Sequence, residues 1–303
     1  MNSVSIDIVT NLQELLKMEY LVFQRRVVPN KQVHSILAGK NISKLRGRGL
    51  DFEEVRRYVN GDDIRNIDWK VTARTRVTHT KVFTEEKERP VFTIVDQSSN
   101  MFFGSKRYTK SVVAAHAAAI SAFRTLKVGD RFGGIIFNDE NEMYIQPKRS
   151  RAAALRYLEC VVDFNAQLVR RKSLTINTDR FNEILKRTQA SITHDYVVTI
   201  ISDFTQMNDE TKKHLINLSH RNDVILVQVT DPFETEAPNQ NVLMSDGNLQ
   251  LQWKNSRESK DLFNEYLSQS KARIQEMRKY GIVSLSLDTS SEVSEQLKEV
   301  FGR

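Results

Sequence analysis

Continuously apolar stretches alternate with helix-like stretches over the C-terminal two-thirds of the chain. Three stretches, VFTIVD (91–96), YVVTIISDF (196–204) and DVILVQVTD (223–231), are apolar at most positions, which is typical of strands buried on both faces. An alanine-rich stretch with helical character, residues 111–128, follows the first of them. Because strands that alternate with helices form a parallel sheet covered on both faces, the pattern predicts a doubly wound, mainly parallel α/β domain over residues 89–303.

The remaining elements of this domain come from the same patterns. RFGGIIFN (131–138) and EMYIQPK (142–148) predict two strands of a hairpin, and IVSLSLD (282–288) predicts a last strand. Further helices are expected over 152–164, 178–188, 211–220, 260–280 and from residue 292, with a polar hairpin over 238–254.

Residues 1–88 follow a different pattern. Apolar residues from Ile6 to Val22 recur at helical spacing, which predicts an amphipathic helix that docks on the rest of the protein. DFEEVRRY (51–58) predicts a short helix, Asn60-Gly61 a tight turn, and the alternation over 76–84 a strand. We therefore expect an N-terminal helix and a small β-containing appendage ahead of the α/β domain.

Composition and charge indicate what kind of protein this is and in which compartment it is expected. The chain of 303 residues has 45 lysines and arginines against 38 acids, a net charge of +7, with 40% hydrophobic residues. This composition predicts a globular protein with a sizeable core. The lone Cys160 excludes an internal disulfide and favours a reducing compartment. With no apolar run of membrane-spanning length and no signal-peptide pattern, we expect a soluble, cytoplasmic protein.

Sequence motifs of common enzymes are missing. The nearest approach to a phosphate-binding loop is Gly39-Lys40, but Asn41 stands where a magnesium-binding serine or threonine is needed. Neither a G-x-S-x-G nucleophile elbow nor an H-E-x-x-H zinc motif occurs. The sequence therefore predicts a protein that is not an enzyme and has no nucleotide cofactor.

Oxygen-bearing side chains gather where two of the buried strands end. Asp96, Ser98 and Asn100 alternate after the first strand, and Asp203 follows a later one. Ligands of doubly wound sheets bind beyond these strand ends, and Mg²⁺ prefers carboxylates with neutral oxygens. From the residues alone two interpretations stay open: a Mg²⁺ site, or aspartates that cap helices and bind loop amides.

Two resemblances to known families sharpen these expectations. Asp96-x-Ser98 after the first strand and an aspartate after a later one resemble the metal-ion-dependent adhesion site of von Willebrand factor A domains, which implies a Rossmann-type fold. The resemblance implies Mg²⁺ ligands at Asp96, Ser98, Asn100, Thr178 (or Thr175) and Asp203. Asn100 departs from the serine of that motif, and its longer side chain is expected to weaken the site.

The second resemblance lies in the front segment. Gly47–Phe52, Arg56-Arg57-Tyr58, GDDIRNIDW (61–69) and Ala73-Arg74 are together similar to the signature of the bacterial domain-of-unknown-function-58 family. That resemblance implies adaptor or binding work with a MoxR-type AAA+ ATPase, with other von Willebrand A-like proteins, or with both. For the motif's arginines and aspartates, two roles stay open: an ion-pair network that braces the fold, or a docking surface for an acidic partner.

A different class of function, nucleic-acid binding, is suggested by the charge. Basic residues that support it are Arg46, Arg48, Lys148, Arg149, Arg151, Arg170, Arg171 and Lys172. Aromatic residues do not alternate with these cations, as they do in many single-strand-binding proteins, so a nucleic-acid partner is not expected. A metal-dependent hydrolase ranks last, because no base or nucleophile is evident.

Overall fold

The computed structural model describes residues 7–24, 50–85, 89–170, 179–235, 241–245, 250–253 and 255–301. In chain order the first elements are α1 (Leu12–Gln24), β1 (Leu50–Arg57), α2 (Trp69–Thr75), β2 (His79–Glu85), β3 (Val91–Asp96), α3 (Lys110–Val128), β4 (Phe132–Phe137), β5 (Glu142–Lys148), α4 (Arg151–Arg170) and α5 (Arg180–Ser191). They continue with β6 (Val197–Ser202), α6 (Asp209–Ser219), β7 (Asp223–Thr230), α7 (Pro232–Thr235), β8 (Val242–Ser245), β9 (Gln250–Trp253), α8 (Arg257–Glu276), β10 (Val283–Asp288) and α9 (Val293–Phe301).

The chain divides into two compact units. One comprises residues 1–38 and 89–303, and the other residues 39–88. We call them the α/β unit and the appendage.

The α/β unit is built on a six-stranded sheet in the order β10-β7-β6-β3-β4-β5. All neighbouring strands are parallel except β4 and β5, which form the predicted antiparallel hairpin. The chain starts in the middle at β3, builds outward through β4 and β5, and then crosses to β6 and builds the other way. This is the doubly wound topology, so the predicted fold class is confirmed, and the order reverses between β3 and β6.

Alternate side chains of the central strands β3, β4, β6 and β7 enter two hydrophobic cores, one on each face of the sheet. In β3, Val95 packs in one core and Ile94 in the other. Buried residues of α1, α3 and α4 complete the first core, and those of α5, α6 and α8 the second. Burial on both faces explains why the central strands are apolar at nearly every position.

Helix α1 forms as predicted and packs on the α/β unit. Leu15 is fully buried in the core that α3 also enters, and the Thr10 N–H donates to Asn165 Oδ1 on α4 at 2.9 Å. The predicted division into 1–88 and 89–303 grouped this helix with the appendage. Its contacts join it to the α/β unit instead, since an amphipathic helix is stabilised mainly by the surface that covers its apolar face.

The appendage corrects one helix prediction. Residues 50–57 form strand β1, not a helix, and pair antiparallel with β2, with a shift in register between Phe52 and Glu54. The irregularity breaks the strict alternation by which a strand is recognised in a sequence. The helix in this unit is α2, whose seven residues are too few to show a clear apolar period.

Smaller differences concern element ends. Helix α4 continues to Arg170, beyond the predicted end at residue 164, and β8 and β9 form the predicted hairpin antiparallel to each other. Thr175 and Thr178, together with Arg171 and Lys172, lie outside the described residues. In the part of the chain that the structure describes, no helix is both long and apolar enough to cross a membrane.

The docking of α1 can be tested by truncating Leu15. We expect Leu15→Ala to lower the free energy of unfolding of the α/β unit by about 2–5 kcal/mol, because it leaves a cavity between α1 and α3. Urea denaturation followed by circular dichroism measures the loss. Gln13→Ala, an exposed position on the same helix, is the control and should change stability by less than about 0.5 kcal/mol. Equal effects of the two substitutions would contradict the packing of α1.

Candidate functional site

The two aspartates singled out from the sequence lie at the point where the strand order reverses. Asp96 is the last residue of β3, and Asp203 follows directly after β6. The strands are neighbours, with Val95 opposite Ile201. A doubly wound sheet opens a crevice at this place, because the crossover connections on either side of it leave in opposite directions.

Asp96 is a buried carboxylate with hydroxyl and amide partners. Its Oδ1 accepts the Ser98 N–H at 2.8 Å, and its Oδ2 accepts the Ser202 hydroxyl at 2.6 Å. Burial and the nearby charge of Asp203 raise the pKa of Asp96 to about 6, and the hydrogen bonds offset only part of this. Among the described residues, no lysine, arginine or histidine forms an ion pair with Asp96.

Asp203, in contrast, has a cationic partner. Lys110, the first residue of α3, is 1% exposed, and its Nζ lies 2.9 Å from Asp203 Oδ2 and 2.6 Å from Glu234 Oε1. Burial alone lowers the pKa of this ammonium, but the two carboxylates outweigh burial and raise it above its ordinary value. The lysine is therefore charged and neutralises part of the negative charge at this edge of the sheet.

The loops around the aspartates bring further oxygens to the same edge. The other carboxylate oxygen of Asp203 accepts the N–H and the hydroxyl of Thr205, at 3.0 and 2.9 Å. Asn100 Nδ2 donates to Thr205 Oγ1 at 3.4 Å, which links the loop after β3 to the loop after β6. Asn100 is partly exposed, whereas Ser98 is buried.

Between Asp203 and Thr205 the backbone adopts an energetically unfavourable conformation. Phe204 has a φ of +57°, in the left-handed region that aromatic residues rarely enter. Its buried ring packs edge-on against Phe181 of α5, with 5.9 Å between the ring centres. The anchored ring forces a sharp turn directly after Asp203, which brings Thr205 back to its carboxylate. Such strain is concentrated at functional sites.

These residues meet part of what Mg²⁺ requires. Asp96 is a carboxylate without a cation, the Asn100 carbonyl oxygen makes no hydrogen bond within the described residues, and Ser98 offers a hydroxyl. Asp203 is already paired with Lys110. No group of three or more histidine, cysteine or acidic side chains in the described ranges is placed to hold a metal. A cation here would depend on Asp96 and on neutral oxygens.

Sequence reasoning thus identified Asp96, Ser98, Asn100 and Asp203 at one edge of the sheet, and it missed Lys110, Ser202 and Glu234. A lysine at the head of an otherwise alanine-rich, apolar helix was an available signal, because a buried lysine needs a carboxylate partner. Which carboxylate it meets depends on the fold, since Asp203 lies 93 residues away in the chain. Thr178 lies outside the described residues.

Some of the arginines and aspartates of the appendage form hydrogen bonds within it. Arg56 forms two parallel hydrogen bonds with Asp62, at 2.8 and 2.7 Å, and Asp62 also accepts the Val59 N–H. Asp68 caps α2 by accepting the N–H groups of Lys70 and Val71, each at 3.0 Å. These contacts brace the turns, as one of the two interpretations of the motif expected.

Comparison with known proteins shows the family of this chain. A family model described as "Protein of unknown function DUF58" matches residues 54–275, most of the chain. The chain belongs to this family. The family predicted from the appendage motif is thereby confirmed.

The chain also matches curated proteins from mycobacteria. Uncharacterized proteins of Mycobacterium tuberculosis (strain H37Rv) and of Mycobacterium bovis are each 27% identical over 209 residues, 69% of this chain. The match spans 63% of the length of those relatives.

Solved structures that match part of this chain include two proteins from Bacteroides. The conserved hypothetical protein BatB of B. thetaiotaomicron is 12% identical, with a TM-score of 0.42 over 71% of this chain and 100% of that one. An aerotolerance-related membrane protein of B. fragilis is 15% identical, with a TM-score of 0.41 over 71% and 96%. A von Willebrand factor type A protein of Catenulispora acidiphila is 10% identical, with a TM-score of 0.31 over 72% and 42%. Likeness at these levels does not extend to function.

The raised pKa of Asp96 predicts an unusual pH dependence of stability. Its pKa is about 6 in the folded protein against 3.8 ordinarily, so the stabilisation it contributes is complete below about pH 3.8 and is lost as the pH rises through about 6. We expect Asp96→Asn, which stays neutral, to be more stable than the wild type by about 1–3 kcal/mol near pH 7.5 and equally stable near pH 4. Urea denaturation with chelator over this pH range measures the difference.

The control for this series is Asp163→Asn, at an exposed carboxylate of α4. Its stability relative to the wild type should vary little with pH. A deficit of the Asp96→Asn variant that grows towards pH 7.5 would show that the ionised Asp96 stabilises the fold, contrary to the expectation.

Proposed function

We propose that this DUF58 protein is a non-enzymatic adaptor that binds a protein partner at the Asp96–Asp203 edge of its sheet. The observation that carries the proposal is the buried carboxylate of Asp96, which has no cationic partner among the described residues and lies beside a second carboxylate that has one. Keeping an ionised group in such a place costs stability, so a binding role is a reason for it to persist. The lone cysteine and the motif-poor sequence support the further proposals of a cytoplasmic location and no catalysis.

Mg²⁺ is the cofactor that this edge favours. Asp96, Ser98 and Asn100 would hold the ion, and Asp203 with Lys110 would stay outside its immediate ligands, because the Asp203 oxygens are already occupied. When bound, the ion supplies a positive charge and an open position that a partner's carboxylate fills. The chain's own residues orient the loops: Ser202 and the Ser98 N–H fix the Asp96 carboxylate, and Thr205 fixes Asn100.

For the partner we propose a MoxR-type AAA+ ATPase, alone or together with another von Willebrand A-like protein. Support comes from the family to which the chain belongs and from the lack of a phosphate-binding loop in its sequence. Energy from ATP must then come from outside the chain. An acidic residue of the ATPase would meet the cation at the sheet edge.

Nucleic-acid binding is the alternative, and at least one of its proposed cations is already paired within the protein. Arg151 forms two hydrogen bonds with Glu19 of α1, at 3.0 and 2.7 Å. Arg170 ends α4, and Arg46, Arg48, Arg171 and Lys172 lie outside the described residues. A steep loss of submicromolar DNA binding with rising salt would favour this alternative over the adaptor.

The metal can be tested with the isolated protein. Mg²⁺ should stabilise the wild type, by about 2.7 kcal/mol when its concentration is about a hundred times Kd, and should leave Asp96→Ala unchanged. Asn100→Ser should bind Mg²⁺ more tightly, because the shorter side chain restores the adhesion-site pattern. Thermal denaturation and calorimetry measure both effects.

Asp163→Ala serves as the matched control, because it removes an exposed carboxylate far along the chain from the site. It should retain the full response to Mg²⁺. Identical melting of the wild type in Mg²⁺ and in chelator would exclude the metal and leave Asp96 as a loop brace.

The partner is tested with a co-occurring MoxR-type ATPase, purified separately. We expect surface plasmon resonance to show binding that chelator and Asp96→Ala both weaken, with Asp163→Ala as the control that binds normally. Neutralising Arg170, Arg171 and Lys172 should mainly slow association and reduce its dependence on salt. Binding that ignores both chelator and Asp96→Ala would refute the metal-bridged interface while leaving the partnership intact. No binding at all would refute the partnership.

A further inference from the structure

Helix α2 of the appendage is short but firmly fixed. Asp68 caps its N-terminus, and Arg76 ends it in a left-handed conformation, with a φ of +59°. Thr72 Oγ1 accepts the His79 N–H at 3.0 Å, and the Asp68 N–H donates to the His79 carbonyl at 2.9 Å. The N-terminal end and one side of the helix are therefore tied to His79 of β2, so its outward face is presented in one orientation.

That outward face carries an aromatic ring among cations. Trp69 and Ala73 lie one turn apart, and Lys70 and Arg74 lie beside them on the next row of the helix. All four are exposed, as is Arg76 at the C-terminus, and Trp69 is exposed to 69%. The other side of the helix, with Val71 and Thr72, is partly buried. A tryptophan beside arginine is the combination that is enriched among the residues that anchor protein interfaces.

The positive charges on this face are not paired with the acidic residues near it in the sequence. Two aspartates that precede it already have partners. Asp62 forms an ion pair with Arg56. Asp68 caps α2, and its carboxylate also lies 3.8 Å from Lys81 Nζ. Lys70, Arg74 and Arg76, by contrast, form no ion pair with any residue in the described ranges. The acidic side chains of the motif thus brace the appendage, whereas the cations of α2 remain exposed to solvent.

We propose that the face formed by Trp69, Lys70, Ala73, Arg74 and Arg76 binds an acidic protein segment that carries a large apolar side chain. The apolar side chain packs on Trp69 over the small Ala73, and the acidic residues pair with Lys70 and Arg74. Arginine and tryptophan are the residues that most often dominate protein interfaces. One exposed ring is too little for a nucleic-acid strand, whose successive bases need successive aromatic platforms, and seven residues are too few for a membrane-surface helix. This proposal rests on the residues of the appendage alone and not on the Asp96–Asp203 edge.

The tryptophan itself provides the measurement. The chain has two tryptophans, so the full-length Trp253→Phe variant leaves Trp69 as the single reporter. The probe is a short synthetic peptide in which aspartate and glutamate surround a central phenylalanine. We expect it to shift the Trp69 emission to shorter wavelength with a salt-dependent affinity. The double substitution Lys70→Gln and Arg74→Gln should weaken binding by about tenfold or more.

A matched double substitution, Lys213→Gln and Lys271→Gln, removes two exposed charges from the α/β unit and should leave binding unchanged. The amide version of the peptide, with asparagine and glutamine, should not bind. With a labelled peptide and anisotropy, Trp69→Ala should weaken binding as well, and its exposed position lets the variant fold. Equal affinity for the two double variants, no shift with the acidic peptide, or a shift with oligothymidine or anionic vesicles in its place would overturn the proposal.

Discussion

The candidate functional edge of the sheet depends on one interaction, the ion pairing of the buried Lys110 ammonium. It joins the start of α3 to the end of β6 and to α7, through Asp203 and Glu234. Removing one partner of such a buried pair commonly costs about 3–5 kcal/mol, because the remaining charge is stranded in a low dielectric. The same lysine makes the two aspartates different, because Asp203 has a buried cation as its partner, whereas Asp96 forms no ion pair within the described residues.

This difference in partners suggests that the two aspartates at the sheet edge have different roles. Asp203, held by Lys110 and by Thr205, is a structural carboxylate that shapes the loop after β6. Within the described residues Asp96 has hydroxyl and amide partners alone, and its raised pKa reflects a cost that a bound cation would remove. Together with the left-handed Phe204, the site concentrates unfavourable terms at one place, as proteins do where binding takes precedence over stability.

The two units of the chain use charge in opposite ways. In the α/β unit the charges at the sheet edge are buried, and cation and carboxylate meet inside the protein. In the appendage the aspartates satisfy backbone N–H groups and Arg56, while the cations of α2 stay in water beside Trp69. An adaptor with two such surfaces would contact its partners in two chemically distinct ways, one through a bound cation and one through exposed guanidinium and ammonium groups with an aromatic anchor.

The sequence alone determined the sheet and the place of its candidate site, because a strand such as VFTIVD is apolar on both faces and has one stable location, the centre of a covered sheet. The aspartates that end such strands must then lie at its ligand edge. Tertiary structure decided what local pattern leaves ambiguous. DFEEVRRY became a strand because β2 lies beside it and supplies its hydrogen bonds. The partners of Lys110 are 93 and 124 residues distant, and only the folded chain brings such separated charges together.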